Sequence, residues 1–115
     1  MQATQFRERM RYRVAVSVFP GKIVVVPDRL AVPIDSLVDW TITSHYDDPV
    51  NVEIYFSAAS PFTWNERRVQ LAGSQTNTLT ATPNASGEFK YGVRSSDGRT
   101  GKPLDDEDPW LTVTQ

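Results

Sequence analysis

The chain's one imidazole, His45, lies in the run Ser44-His45-Tyr46-Asp47, which sets a hydroxyl, a base and a carboxylate within four residues. These are the residue types of nucleophilic hydrolysis, in which the base takes the hydroxyl proton and the carboxylate orients the base. Close neighbours in one loop rarely reach that geometry, and no nucleophile motif accompanies them. A solvated loop histidine is the plainer reading, and no catalytic residue is assigned. The sequence contains no cysteine. Thiolate nucleophiles, disulfides and Cys-ligated zinc, iron–sulfur or blue-copper centres are therefore excluded. One histidine also rules out a His pair for a metal.

Two charge patterns remain. Asp105, Asp106, Glu107 and Asp108 are consecutive carboxylates. Calcium takes about six to eight oxygen ligands from flexible loops, and Asp97 or Asp47 could add donors. No Asp-x-Asp-x-Asp-Gly spacing is present, so the expectation is a solvated acidic loop, with no cofactor. Arg7, Arg9, Arg11 and Arg13 recur at period two. If a strand runs back to Phe6, all four point away from Tyr12 and Val14. Such a ladder could bind phosphates, nucleic acid or an acidic partner. Single-stranded nucleic-acid binders also interleave aromatics, and only Phe6 and Tyr12 stand here. The plainer roles are guarding an edge strand or meeting the acidic 105–108 segment. If that segment belongs to a second copy, the result is a homo-oligomer. Residues 1–30 carry six basic and two acidic side chains, and the whole chain has a formal charge of -2. That balance suits a soluble protein without a strong pull toward nucleic acid or membrane.

The aromatic residues Tyr46, Phe62, Trp64 and Trp110 fall in or beside loops. Exposed rings can stack on a sugar or fill a partner's pocket; buried ones would plug the end of the fold. Phe62 and Trp64 straddle Thr63, which allows one in and one out, and plugging is the preferred reading, since aromatic rings dominate core energetics. Trp40 reads as core. Asn84-Ala85-Ser86 fits a glycosylation acceptor, but MQATQFRERMRYR lacks the apolar stretch of a leader, so the match is read as coincidence and the cytosol is favoured. No apolar run approaches the roughly 18 residues of a membrane span.

The elements that must position these residues are strands. Val and Ile total 17 and Thr adds 11, against six Leu and eight Ala. β-Branched side chains suit a pleated, half-buried surface and lose rotamer freedom in helices. Apolar and polar residues alternate over Tyr12–Phe19, Leu30–Ile34, Val38–Thr43, Val50–Ser57, Phe89–Arg94 and Trp110–Thr114, as half-buried strands do. Ile23–Val26 is a short apolar run, and Thr76–Thr82 is a Thr-rich strand. Pro20-Gly21, Pro27-Asp28 and Pro83–Gly87 are turns. Ser57–Arg68 shows no period, and Asn65–Arg68 could form one helical turn. Ser95–Pro109 reads as a long polar loop. About eight short strands with turns between them predict an all-β antiparallel sandwich with Greek-key connections. Its 115 residues are enough for one core. Residues 1–11 are expected to be an arm or strand extension, and residues 12–115 the domain.

Two stretches carry a resemblance to a known family. Val38-Asp39-Trp40 through Pro49-Val50-Asn51-Val52-Glu53 is similar to the third strand, polar loop and fourth strand of the cupredoxins, the plastocyanin and azurin fold. Gly87-Glu88-Phe89-Lys90-Tyr91-Gly92-Val93-Arg94-Ser95-Ser96 resembles their Gly-Glu-Tyr-x-Phe-x-Cys-x-x-His run. The tail Asp105–Trp110 also resembles uncharacterised bacterial cupredoxin-like proteins with an Asp-Pro before the last strand. The resemblance implies a cupredoxin-like sandwich. It puts the first His ligand on Val50, the Cys on Val93 and the second His on Ser96, with no Met following to serve as axial ligand. A blue-copper centre needs two imidazoles and a thiolate, so the copper positions are degenerate. A sound β core with no catalytic constellation points to a non-enzymatic, metal-free binding or assembly module for a protein or carbohydrate. Tyr46, Phe62, Trp64, Trp110, Arg9, Arg11 and Arg13 are its candidate contacts. The alternative is an electrostatic binder of nucleic acid or phosphate through Arg7, Arg9, Arg11 and Arg13.

Overall fold

A computed structural model describes residues 9–115. Much of the expected arm, Arg7 included, lies outside the described residues, and Arg11 already belongs to the first strand. Eleven strands and no helix are found among the described residues: β1 (Arg11–Phe19), β2 (Lys22–Val26), β3 (Arg29–Pro33), β4 (Leu37–Ser44), β5 (Val50–Tyr55), β6 (Glu66–Leu71), β7 (Thr76–Ala81), β8 (Gly87–Lys90), β9 (Gly92–Asp97), β10 (Pro103–Glu107) and β11 (Trp110–Thr114). One sheet has the order β2-β1-β4-β7 and the other β10-β9-β5-β6, with β3-β11-β8 as a third group. β8 and β9 are one run interrupted at Tyr91, and β10 and β11 are one run interrupted at Asp108-Pro109. The Tyr91 N–H donates to the Pro109 carbonyl across the gap at 3.1 Å. The third group therefore continues the second sheet.

The alternation read from the sequence becomes the packing between the layers. Val14, Val16 and Val18 of β1, Val38, Trp40 and Ile42 of β4, and Val50, Val52 and Ile54 of β5 are all buried. β1 and β4 run parallel in register Val14↔Trp40 and Val16↔Ile42, which stacks their inward residues side by side. Each buried side chain of this size contributes about 1.5–3 kcal/mol, and the continuous apolar layer is what holds the sheets face to face.

Two expectations fail here. Glu66–Arg68 is not a helical turn. It opens β6, which pairs with β5 from Tyr55↔Glu66 to Val50↔Leu71. The 95–109 segment is not a loop. β9 runs on to Asp97, and the acidic stretch forms β10, paired with β9 through Asp105↔Ser95, Asp106↔Arg94 and Glu107↔Val93. Asp and Glu are poor strand formers, so the pairing is imposed by β9 and by partners for the carboxylates.

Candidate functional site

At one end of the sandwich, the loop after β4 meets the turn between β9 and β10. The inferred copper positions do not converge there. Val50 pairs with Asp97, whereas Val93 pairs with Ile54. Four residues of strand separate Val93 from Val50, roughly 13 Å. Ser96 pairs with Asn51 and by alternation faces the opposite side of the sheet from Val50. The reason is the length of β9, which carries the chain past Val93 before it turns. The end is closed by its own backbone: Gly98 donates to the Pro49 carbonyl at 2.9 Å, and a Cβ on Gly98 would come within 2.8 Å of Pro49. Asp97 Oδ1 accepts the N–H groups of Arg99 and Thr100 at 2.7 and 3.0 Å. Those two bonds hold its carboxyl below the usual range.

The Ser44-His45-x-Asp47 run does not assemble a triad. Ser44 Oγ exchanges hydrogen bonds with the Tyr46 backbone, Asp47 accepts from Ser74, and the His45 ring lies flat on Phe19 with centroids 4.7 Å apart. The carboxylates of β10 are drawn apart. Asp105 accepts the Ile23 N–H, and Asp106 accepts the Tyr55 hydroxyl. Among the described residues no three His, Cys, Asp or Glu side chains converge to hold a metal.

The candidate aromatics are not one cluster. Phe62 and Trp64 stack at 5.0 Å and both lean on Trp40 and Phe56, at the end of β5 remote from Tyr46. Phe62 and Trp64 thus form a joint plug. Phe62 is buried and Trp64 half-buried, with Arg67 over the Trp64 ring at 5.8 Å. Inside this group Trp40 Nε1 donates to Tyr91 Oη, and burial pushes the Tyr91 hydroxyl to about 12. Tyr46 is half-buried against the core. Trp110 lies on β11 between Arg29 and Lys90, whose charges stand 5.7 and 5.9 Å from the ring centroid. Of the arginine ladder, Arg11 is committed to both oxygens of Asp39 at 3.0 Å. Arg9 reaches the Thr82 hydroxyl, and Arg13 is exposed.

The most developed polar site is one that the sequence reading missed, on the outer face of β6-β5-β9-β10. Three cross-strand rows build it. Gln70, Asn51 and Ser96 form the first, Arg68, Glu53 and Arg94 the second, and Glu66, Tyr55 and Gly92 the third. Glu53 is only 7% exposed, and its two oxygens accept from Arg68 at 3.0 Å and Arg94 at 3.1 Å. Its pKa falls to about 2 because Glu66 hydrogen-bonds to it and the Arg94 and Arg68 guanidiniums hold the charge, against the cost of burial. Glu66 shifts the other way, raised by its bond to Glu53. Tyr55 lies across Gly92, under the Arg94 guanidinium at 4.3 Å, with its hydroxyl on Asp106 at 2.8 Å. Burial and Asp106 raise that hydroxyl to about 12. A bulge between Pro103 and Asp105 of β10 lifts one wall. The result is a groove of about 440 Å³ lined by both arginines, Glu53, Asn51, Ser96 and Leu104, among others. Strict alternation marks Asn51, Glu53 and Tyr55 as outward-facing. Nothing local marks the arginines as their neighbours.

Comparison with solved structures defines the fold. Auracyanin A, a blue copper protein from the green thermophilic photosynthetic bacterium Chloroflexus aurantiacus, superposes with a TM-score of 0.55 at 14% identity, over 90% of this chain and 99% of that one. Auracyanin B gives 0.54 at 13% identity, over 97% and 94%. A copper-containing nitrite reductase from Thermus scotoductus contains a similar unit, with a TM-score of 0.57 at 13% identity over 100% of this chain and 25% of that one. The fold is a cupredoxin-like β-sandwich. No protein-family model matches the sequence, and no curated protein matches it. The copper that the fold brings to mind does not fit these residues. There is no thiolate, the one imidazole is stacked on Phe19, and the side chains facing each other at the strand ends are Val50 and Asp97.

Proposed function

We propose that this chain is a non-catalytic, metal-free binding or assembly module on a cupredoxin-like scaffold. The observation that carries the reading is the closed strand end. Gly98 packs on Pro49, Asp97 caps its own turn, and neither sulfur nor paired imidazoles stand nearby. A trigonal copper centre has no ligands there, and the Ser44, His45 and Asp47 side chains are turned to other partners. What the surface offers instead is a preformed polar groove on one sheet and a half-buried Trp110 flanked by cations on the continuation of that sheet. Binding through Arg7, Arg9, Arg11 and Arg13 has less support, because Asp39 neutralises Arg11. Titration with cupric ion followed by calorimetry and visible absorption tests the reading. The expected result is no stoichiometric uptake and no intense thiolate-to-copper band; tight one-to-one uptake would overturn it.

A further inference from the structure

The outer groove has a chemistry that selects its occupant. The row Gln70–Asn51–Ser96, of which Asn51 and Ser96 line the groove, continues onto Pro103 of β10, and the row Arg68–Glu53–Arg94 onto Asp106. The first row carries amides and a hydroxyl and no charge. The second alternates plus, minus, plus, minus and sums to zero. With Asp105 the groove's lining holds one more carboxylate than guanidiniums, which gives an anion no net attraction, and no carboxylate cluster there holds a metal among the described residues. An extended peptide would pair with a free strand edge, whereas this floor is a sheet face whose central strands are already hydrogen-bonded on both sides.

The remaining match is a neutral polyhydroxylated ligand. Planar amides and guanidiniums meet adjacent hydroxyls two at a time. Each guanidinium has five N–H donors, and Arg68 and Arg94 each reach Glu53 through a single nitrogen. Glu53 pins both arginines, so their free donors are preorganised. Pro103 and Leu104 supply an apolar wall for the ring face of a sugar. Asn51 also lines a second groove of about 370 Å³ with Gln70, Leu71 and Gln75, so the two grooves share Asn51. Adjacent strands stand about 4.8 Å apart, close to the rise of one ring in an extended sugar chain. We propose that the row Gln70–Asn51–Ser96 is the floor of a binding site for a neutral oligosaccharide lying across β6, β5 and β9. The proposal rests on the reading of the chain as a binding module.

The test is calorimetry with cellohexaose, xylohexaose, mannohexaose and maltohexaose, with polygalacturonate as the charged control. Asn51→Ala, Gln70→Ala and His45→Ala are run beside the parent chain, with melting curves to confirm folding. Asn51 is half-buried and Gln70 exposed, so neither truncation opens the core. One hexaose should bind with an affinity indifferent to salt. Asn51→Ala and Gln70→Ala should each weaken it by about fivefold to tenfold, and His45→Ala should not. Binding of no hexaose, equal binding by both groove variants, or tighter binding of polygalacturonate would overturn the site. Those results leave the copper titration as a separate test of the module reading. Conversely, a hexaose that binds through Asn51 and is cut to shorter sugars would support the groove and overturn the non-catalytic reading.

Discussion

Glu53 shows how a side chain's role depends on neighbours distant in sequence. Alternation makes it an outward residue of an amphipathic strand, the kind expected to be solvated. It is buried because guanidiniums 15 and 41 residues away fold over it. Removing one member of such a group leaves a charge uncompensated, so the cluster is expected to be stiff. Ser95 is the opposite case. By alternation it falls on the inward face of β9, in register with Val52. It is 2% exposed, and its Oγ has no hydrogen-bond partner among the described residues. A buried hydroxyl left unpaired costs about 1–3 kcal/mol. Ser95→Ala should therefore raise stability by about 1 kcal/mol in urea unfolding, at unchanged slope. A loss of stability would show that the hydroxyl is bonded after all. Of the residues singled out in the sequence, Trp40 was legible as core because it sits on an alternating apolar face. For Trp64 plugging was the preferred reading but its partners were not legible, because it stacks on Phe62 and Trp40 across a segment with no period.

At the scale of elements, the strands with clean alternation, β1, β4 and β5, were readable because a half-buried sheet imposes period two on the residues themselves. β6 and β10 were not. Glu66-Arg67-Arg68 favours helix by propensity, and Leu104–Glu107 favours a loop; each becomes a strand because a neighbour supplies a ladder of hydrogen bonds. The break between β8 and β9 has its own local requirement. A Cβ on Gly92 would collide with the Tyr55 ring and hydroxyl, so that ring lies flat on the sheet only because position 92 has no side chain. Gly92→Ala should expel Tyr55 from under Arg94 and from Asp106. The expected loss is about 1–3 kcal/mol by thermal or urea unfolding, as for other overpacked sites. Tyr55→Ala in the same chain should remove most of that penalty. A double-mutant cycle showing no coupling between the two positions would contradict the close approach.

For the whole molecule, acid is the lever the structure exposes. Glu53 ionises at about 2 in the fold against an ordinary 4.5. Asp39 is lowered by its bonds to Thr80 and Arg11, and Asp97 by the Arg99 and Thr100 amides. Below pH 4.5 the unfolded chain takes up protons that the folded chain refuses, so stability must fall as the pH falls. Melting temperature should decline steadily as the pH falls from 4.5 toward about 2, with Glu53 a principal source and Glu66 opposing it, because its raised pKa lets the fold take up that proton first. Glu53→Gln should flatten the decline; an unchanged slope would place the acid sensitivity elsewhere. The two-layer β architecture and the exclusion of a blue-copper centre were both readable from the linear chain. Alternation is a local property of each strand, and the lack of cysteine is a property of composition. The partners of each strand were not, nor were their registers. A shift of one residue moves every side chain to the other face, and nothing in β9 alone says that it continues to Asp97 or that Ser96 comes to lie beside Asn51. Only packing of the two layers against each other settles those pairings, and with them the closed strand end and the polar rows of the outer groove.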